Sequence, residues 1–299
     1  MEIEGDEQYD QNKEVKVDII EEAGEISDDG TVAYGWSTSK DIEPTTWTNV
    51  TFAEMEKTTG KYTFKATATD LTGEYYLFVK ANLKDSVGNI SNETKISTST
   101  FKFDNVKPIC KITGDNTIMV EEAKELTLTC TDENSKVVAK DLDISNIEIS
   151  NDTGKILSIS SATTTENGYK YQIKLKGLTT GSFNVSLKAG IISDSAGNKN
   201  EKVTSETIEV TGRTYTATYQ KGNNIESISR ESDTCTTTGS NTSCEITLPE
   251  IVASVGYSPA GWYNEDKSKQ TVPNAKYTLT KDETLTAEAV VNSYKVTYD

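Results

Sequence analysis

The chain has 299 residues, 30 Lys plus Arg against 47 Asp plus Glu, a formal net charge of -17 and no histidine at all. The missing imidazole excludes Ser-His-Asp and Cys-His nucleophilic catalysis, His-ligated zinc and histidine-based pH switching. The surplus of negative charge opposes binding to nucleic acid phosphate or to an anionic membrane surface, whereas a carboxylate pair of the glycosidase kind survives both exclusions.

The length predicts two or three domains of about 100–150 residues each. Apolar residues make up 34% of the chain and come in short bursts, none near the ~20 that cross a bilayer. Met1 is followed by Glu2, Glu4, Asp6 and Glu7 instead of a basic and then apolar leader, so the chain reads as a mature segment or an expressed fragment. Thr and Ser are abundant, Pro is scarce, and β-branched residues alternate with polar ones throughout, which predicts an all-β chain.

In chain order, residues 1–13 are acidic and without period and read as a tail or linker. Val15, Val17 and Ile19 then alternate with Lys16 and Asp18, the pattern of a half-buried strand. Val32, Tyr34 and Trp36, then Tyr62, Phe64 and Ala66, then Tyr75, Leu77, Val79 and Ala81, and finally Phe101 and Phe103 form further apolar faces. Clusters of Gly, Asp, Asn and Ser separate these short strands, as in a sandwich or barrel. Asp85-Ser86-Val87-Gly88-Asn89 recurs as Asp194-Ser195-Ala196-Gly197-Asn198 at an offset of 109, so 14–106 and 107–211 read as two sandwiches in tandem, joined at Val106-Lys107-Pro108.

A different module starts near Gly212. Tyr215, Ala217 and Tyr219 alternate, Ile246 and Leu248 follow, and Gly256-Tyr257-Ser258-Pro259-Ala260-Gly261-Trp262-Tyr263 precedes alternation at Tyr277 and Leu279 and at Leu285, Ala287 and Ala289. Tyr294 to Tyr298 echoes Tyr215 to Tyr219 at an offset of 79, so 212–292 reads as one repeat and 293–299 as the truncated start of the next.

Two resemblances follow. Tyr34-Gly35-Trp36-Ser37, Gly73 to Ala81, the Asp85 to Asn89 turn and Phe101-Lys102-Phe103-Asp104 make 14–108 similar to the immunoglobulin-like modules of bacterial cell-surface proteins; the second domain shares mainly its turn. The Gly-Tyr-x-x-x-Gly-Trp-Tyr block resembles the Listeria–Bacteroides repeat, also called the internalin B-repeat, which implies a small β-grasp-like unit found in arrays on bacterial surfaces. A Ser/Thr-rich insertion holding Cys235 and Cys244 departs from that family. The expected fold is therefore two tandem immunoglobulin-like β-sandwiches followed by a β-grasp-like repeat.

Three groups of residues bear on chemistry. Cys110, Cys130, Cys235 and Cys244 contain no Cys-x-x-Cys pair, which argues against zinc. Cys110 shares a face with Ile112, and Cys130 with Leu126 and Leu128 on the next strand; Cys235 and Cys244 flank Thr236 to Ser243. One disulfide per domain is expected, worth about 3.3 and 2.6 kcal/mol in the chain-entropy treatment and pointing to an oxidising exterior, with four reduced buried thiols as the alternative. The Asp85–Asn89 and Asp194–Asn198 turns are either plain turns with Gly88 and Gly197 at positive φ or calcium ligands, with Asp104 a candidate addition to the first. Trp47, in a loop-like stretch, is a candidate for stacking on a sugar ring, against packing as the plainer reading.

The expectation is a non-catalytic stalk or adhesin segment of a secreted bacterial surface protein. It would need no cofactor apart from the calcium alternative, would be monomeric within a larger chain, and would serve an unidentified host protein or glycan, with no nucleic acid partner and no membrane insertion in this segment. The rivals are accessory modules of a large extracellular enzyme, such as a glycoside hydrolase, and a glycan- or host-protein-binding module.

Overall fold

The computed structural model describes residues 3–21, 25–267 and 270–297. Within them the chain is all-β: strands and two short 3-10 turns, with no helix long and apolar enough to cross a membrane. Three hydrophobic cores follow one another along the chain, drawn from Ile3 to Phe103, from Cys110 to Val210 and from Ala217 to Ala287.

The first core lies between two sheets. One holds Ile26–Ser37, Gly73–Asp85, Ile90–Ile96 and Phe101–Phe103; the other pairs Lys13–Ile20 with Lys61–Ala68 over eight residues. Alternation along these strands sends Val17, Phe64, Ala66, Leu77, Val79 and Phe103 into the core, where Trp36 meets Phe101 and Phe103 edge-on at 5.4 and 5.3 Å.

The acidic start is not a tail. Asp6–Asp10 is a strand that runs parallel to Phe101–Phe103. The physical reason is Lys13, which is buried and donates to Asp6 Oδ2 (2.8 Å), Asp10 Oδ2 (2.8 Å) and the Gln8 carbonyl (2.7 Å). A buried ammonium needs counterions, and two of the acids that look like solvating charge in the sequence are those counterions. Met1 and Glu2 lie outside the described residues.

In the second sandwich Ala123–Thr131 is the central strand, between Ile109–Thr113 and Gly168–Gly177. Cys110 stands directly opposite Cys130, and the two are disulfide-bonded. The third module pairs its first strand, Thr214–Lys221, in parallel with its last, Glu283–Val291, and Tyr257–Asn264 lies antiparallel on the other side of the latter. Trp262 is fully buried there and donates its indole N–H to the Pro249 carbonyl at 2.9 Å. Residues 292–297 form no strand, and the last two residues of the expected further repeat lie outside the described residues.

Candidate functional site

The most unusual chemistry sits where the first two sandwiches meet. Asp104 directly follows Phe101–Phe103, Asp132 directly follows Ala123–Thr131, and Asp194 opens the second Asp-x-x-Gly-Asn turn. One carboxylate oxygen of each lies within 4.8 Å of those of the other two. All three residues are buried, at 0%, 6% and 2% exposure. Charges this close repel by about 3–4 kcal/mol per pair at an effective dielectric constant near 20.

Neutral donors meet most of this charge. Asp104 Oδ1 accepts the Val106 N–H (2.9 Å), and its Oδ2 accepts the Ser135 N–H (3.1 Å) and hydroxyl (2.5 Å). Asp194 accepts the Asn198 N–H at Oδ1 (2.8 Å) and the Asn198 amide at Oδ2 (2.9 Å). Asp132 Oδ1 accepts the N–H groups of Asn134 (3.0 Å) and Ser135 (2.9 Å). Asp132 Oδ2 is buried and accepts nothing. None of the ion pairs among the described residues includes any of the three. Burial, followed by the charges of Asp104 and Asp194, pushes the Asp132 carboxyl above the ordinary carboxylate range, although the backbone N–H groups pull the other way.

The two copies of the turn share a backbone and differ in surroundings. Gly88 and Gly197 take φ of 98° and 92°, which glycine adopts without strain. Asp85 Oδ1 accepts the Val87 and Asn89 N–H groups and its Oδ2 the Asn89 amide, and the two asparagine bonds recur between Asn198 and Asp194. The first turn, however, is open to solvent. The expected addition of Asp104 to this turn is corrected: Asp104 stands with Asp194. Phe103 pairs with Gly73, whereas Asp85 ends the same strand twelve residues further on, roughly 40 Å away at ~3.3 Å per residue.

Asp132 has no signature in the sequence: the repeat's offset of 109 sets it against Ala23 and not against an acid.

The second junction is polar and holds no carboxylate cluster among the described residues. Cys235 and Cys244 are bonded to each other, and the loop they close reaches back to the second sandwich. Thr180 N–H donates to the Gly239 carbonyl (2.9 Å), and Gly239 N–H to Thr180 Oγ1 (2.8 Å). Arg213 Nε adds a bond to the Val120 carbonyl at 3.1 Å. Trp47 is half-buried beside the first sandwich, with the Lys80 ammonium 5.5 Å from its ring centroid.

No known family matches the chain, and no curated protein matches it. Among solved structures it is similar to a Ca2+-stabilized adhesin by which an Antarctic bacterium binds ice, at 16% identity over 89% of this chain and 60% of that one (TM-score 0.33). It is also similar to the major pilin subunit of Bacillus cereus, at 12% identity over 94% and 100% (TM-score 0.24). A broadly conserved Escherichia coli adhesin is similar at 12% identity over 97% and 89% (TM-score 0.27). The chain thus spans 60% of the length of the first of these. At identities and scores this low, the fold rests on this chain's own strands.

Proposed function

We propose that the chain is a non-catalytic stalk or adhesin segment of a secreted bacterial surface protein, holding a binding head away from the cell or mediating attachment. The observation that carries this reading is its surface. The chain exposes 17157 Å². A single compact body of 32.7 kDa exposes about 12,400 Å², and three separate domains of a third that mass expose about 16,700 Å² together. The modules are therefore arranged with little mutual burial, as a row requires. Each junction is nevertheless bridged by hydrogen bonds, so the row has defined joints instead of free linkers. The two disulfides suit an oxidising exterior, and the net charge of -17 keeps such a row soluble.

The test is location and shape together. Antibody raised against the chain should label intact cells of the producing bacterium, and small-angle scattering of the chain should give a radius of gyration above about 28 Å, against roughly 19 Å for one compact domain of this length. Labelling only after lysis, or a compact particle, would overturn the reading.

A further inference from the structure

We propose that Asp104, Asp132 and Asp194 form a divalent-cation site of the calcium class that locks the first sandwich onto the second. The site takes one ligand from the first sandwich and two from the second, so a bound ion bridges the joint. It goes beyond the display function and holds whatever the chain carries at its end.

Three observations converge. The carboxylates come from three separate points of the chain and meet within 4.8 Å, all nine-tenths buried or more. Asp132 Oδ2 is buried with no donor, although the other five carboxylate oxygens each have one. The donors that surround the cluster are all neutral, so the negative charge is oriented but not compensated. A buried anionic cluster needs a counter-charge, and the unpartnered oxygen leaves a lone pair for it.

The chemistry of the donors selects the ion. All are hard oxygens, the chain has no histidine, and its four cysteines are consumed in disulfides, so nothing favours zinc or copper. Calcium–oxygen distances of about 2.3–2.6 Å give a shell roughly 4.6–5.2 Å across, which accommodates oxygens spread up to 4.8 Å. Magnesium, at about 2.0–2.1 Å, dehydrates reluctantly and keeps several waters, which a site buried this deeply opposes. A carboxylate oxygen that accepts one hydrogen bond keeps a second lone pair, so the existing donors hold the ligands in place without displacing the ion.

The test uses the full chain, stripped with a chelator and dialysed into about 0.15 M salt. Titration calorimetry with CaCl2 should show one saturable step per chain with a dissociation constant of about 1 mM or tighter, and the melting temperature should rise by roughly 5 °C or more at saturation. Asp132→Asn keeps the volume of the side chain and removes one of three repelling charges. In chelator it should melt at or above the parent protein, and in calcium the order should invert because its saturable step is lost. Asp104→Asn should lose the step as well, whereas Asp85→Asn, at the exposed turn, should retain it. Absence of saturable binding by the parent protein up to about 10 mM would overturn the proposal, whatever the variants do. An Asp132→Asn protein that binds as the parent does, or a response to MgCl2 equal to that to CaCl2, would overturn it too.

Discussion

The Asn198 side-chain amide donates to the Asp104 carbonyl oxygen at 2.8 Å and to Asp194 Oδ2 at 2.9 Å, so a single buried group ties the end of the first sandwich to a turn of the second. Its counterpart Asn89 makes the same bonds within its own turn, and among the described residues it bonds to no other sandwich. Replacing Asn198 by Ala leaves a buried carbonyl without its donor and should cost about 1–3 kcal/mol. Asn89→Ala, at an exposed position, should cost less than about 1 kcal/mol. Urea unfolding measures both, and hydrogen exchange at residues 105–107 should quicken only in the Asn198 variant. Equal behaviour of the two variants would show that Asn198 has no part in the joint.

The Cys235–Cys244 loop predicts a coupling between oxidation state and the second joint. The loop stays closed through its disulfide and presents Gly239 to Thr180 through two backbone-mediated bonds. The paired Cys235→Ser, Cys244→Ser variant should lose about 2.6 kcal/mol of stability in the third module by the loop-closure relation, and the amides of Thr180 and Gly239 should exchange faster. The paired Cys110→Ser, Cys130→Ser variant should lose about 3.3 kcal/mol in the second sandwich and leave the Thr180 and Gly239 amides as they are in the native state. If exchange at Thr180 is the same with and without the Cys235–Cys244 bond, the loop is a bystander.

These two joints show what can be read from sequence and what cannot. The core strands are legible where one face is buried: Leu126, Leu128 and Cys130 obey a period of two, and Leu77, Val79 and Ala81 keep it although Phe78 on the opposite face is buried as well. The cysteine partners are legible for a related reason, since Cys110 and Cys130 stand on alternating strands that run side by side. The repeated turn draws attention to Asp194 and Asn198, yet the same letters occur in the exposed turn at Asp85 and Asn89, and only the neighbouring domain makes the difference. Asp104 is 28 residues from Asp132 and 90 from Asp194, and no local pattern records a meeting that two domains must fold to produce. The strand Asp6–Asp10 hides for another reason. Its residues carry no alternation, and its stability comes from Lys13, whose burial is a property of the assembled sandwich.

Trp262 offers a sharper test of the third module. Its indole is 1% exposed, packs 5.0 Å from the Tyr219 ring and donates to the Pro249 carbonyl. Trp262→Ala should cost about 3–5 kcal/mol, enough to unfold much of a module this small. Trp262→Phe keeps most of the ring and drops the donor, and should cost clearly less. Circular dichroism and hydrogen exchange in each module would follow both, and loss of structure should stop at the second joint because the three cores are separate. Unfolding of all three together would show that the cores act as one cooperative unit.

The Lys13 cluster predicts an acid-sensitive latch on the first sandwich. Asp6 is held below the ordinary carboxylate range first by the hydrogen bond from the Lys13 ammonium and then by that from the Gln8 N–H, against burial, which raises it. Asp18 is held low in the same way by Lys61 and then Thr63, at 2.5 and 2.7 Å. A carboxyl whose folded-state pKa is depressed contributes its stability above the unfolded value, near 3.9, and loses it as the pH falls through the lower folded value. The strand Asp6–Asp10 should therefore keep its protection down to about pH 4 and lose it below, ahead of the disulfide-bonded core of the second sandwich. Hydrogen exchange between pH 6 and pH 2, corrected for the intrinsic rate, reads this directly. Asp6→Asn removes the titrating group while keeping an acceptor for Lys13, so its exchange profile should be weaker at neutral pH and flatter below pH 4. A variant whose profile parallels that of the parent protein would place the acid sensitivity elsewhere than at Asp6.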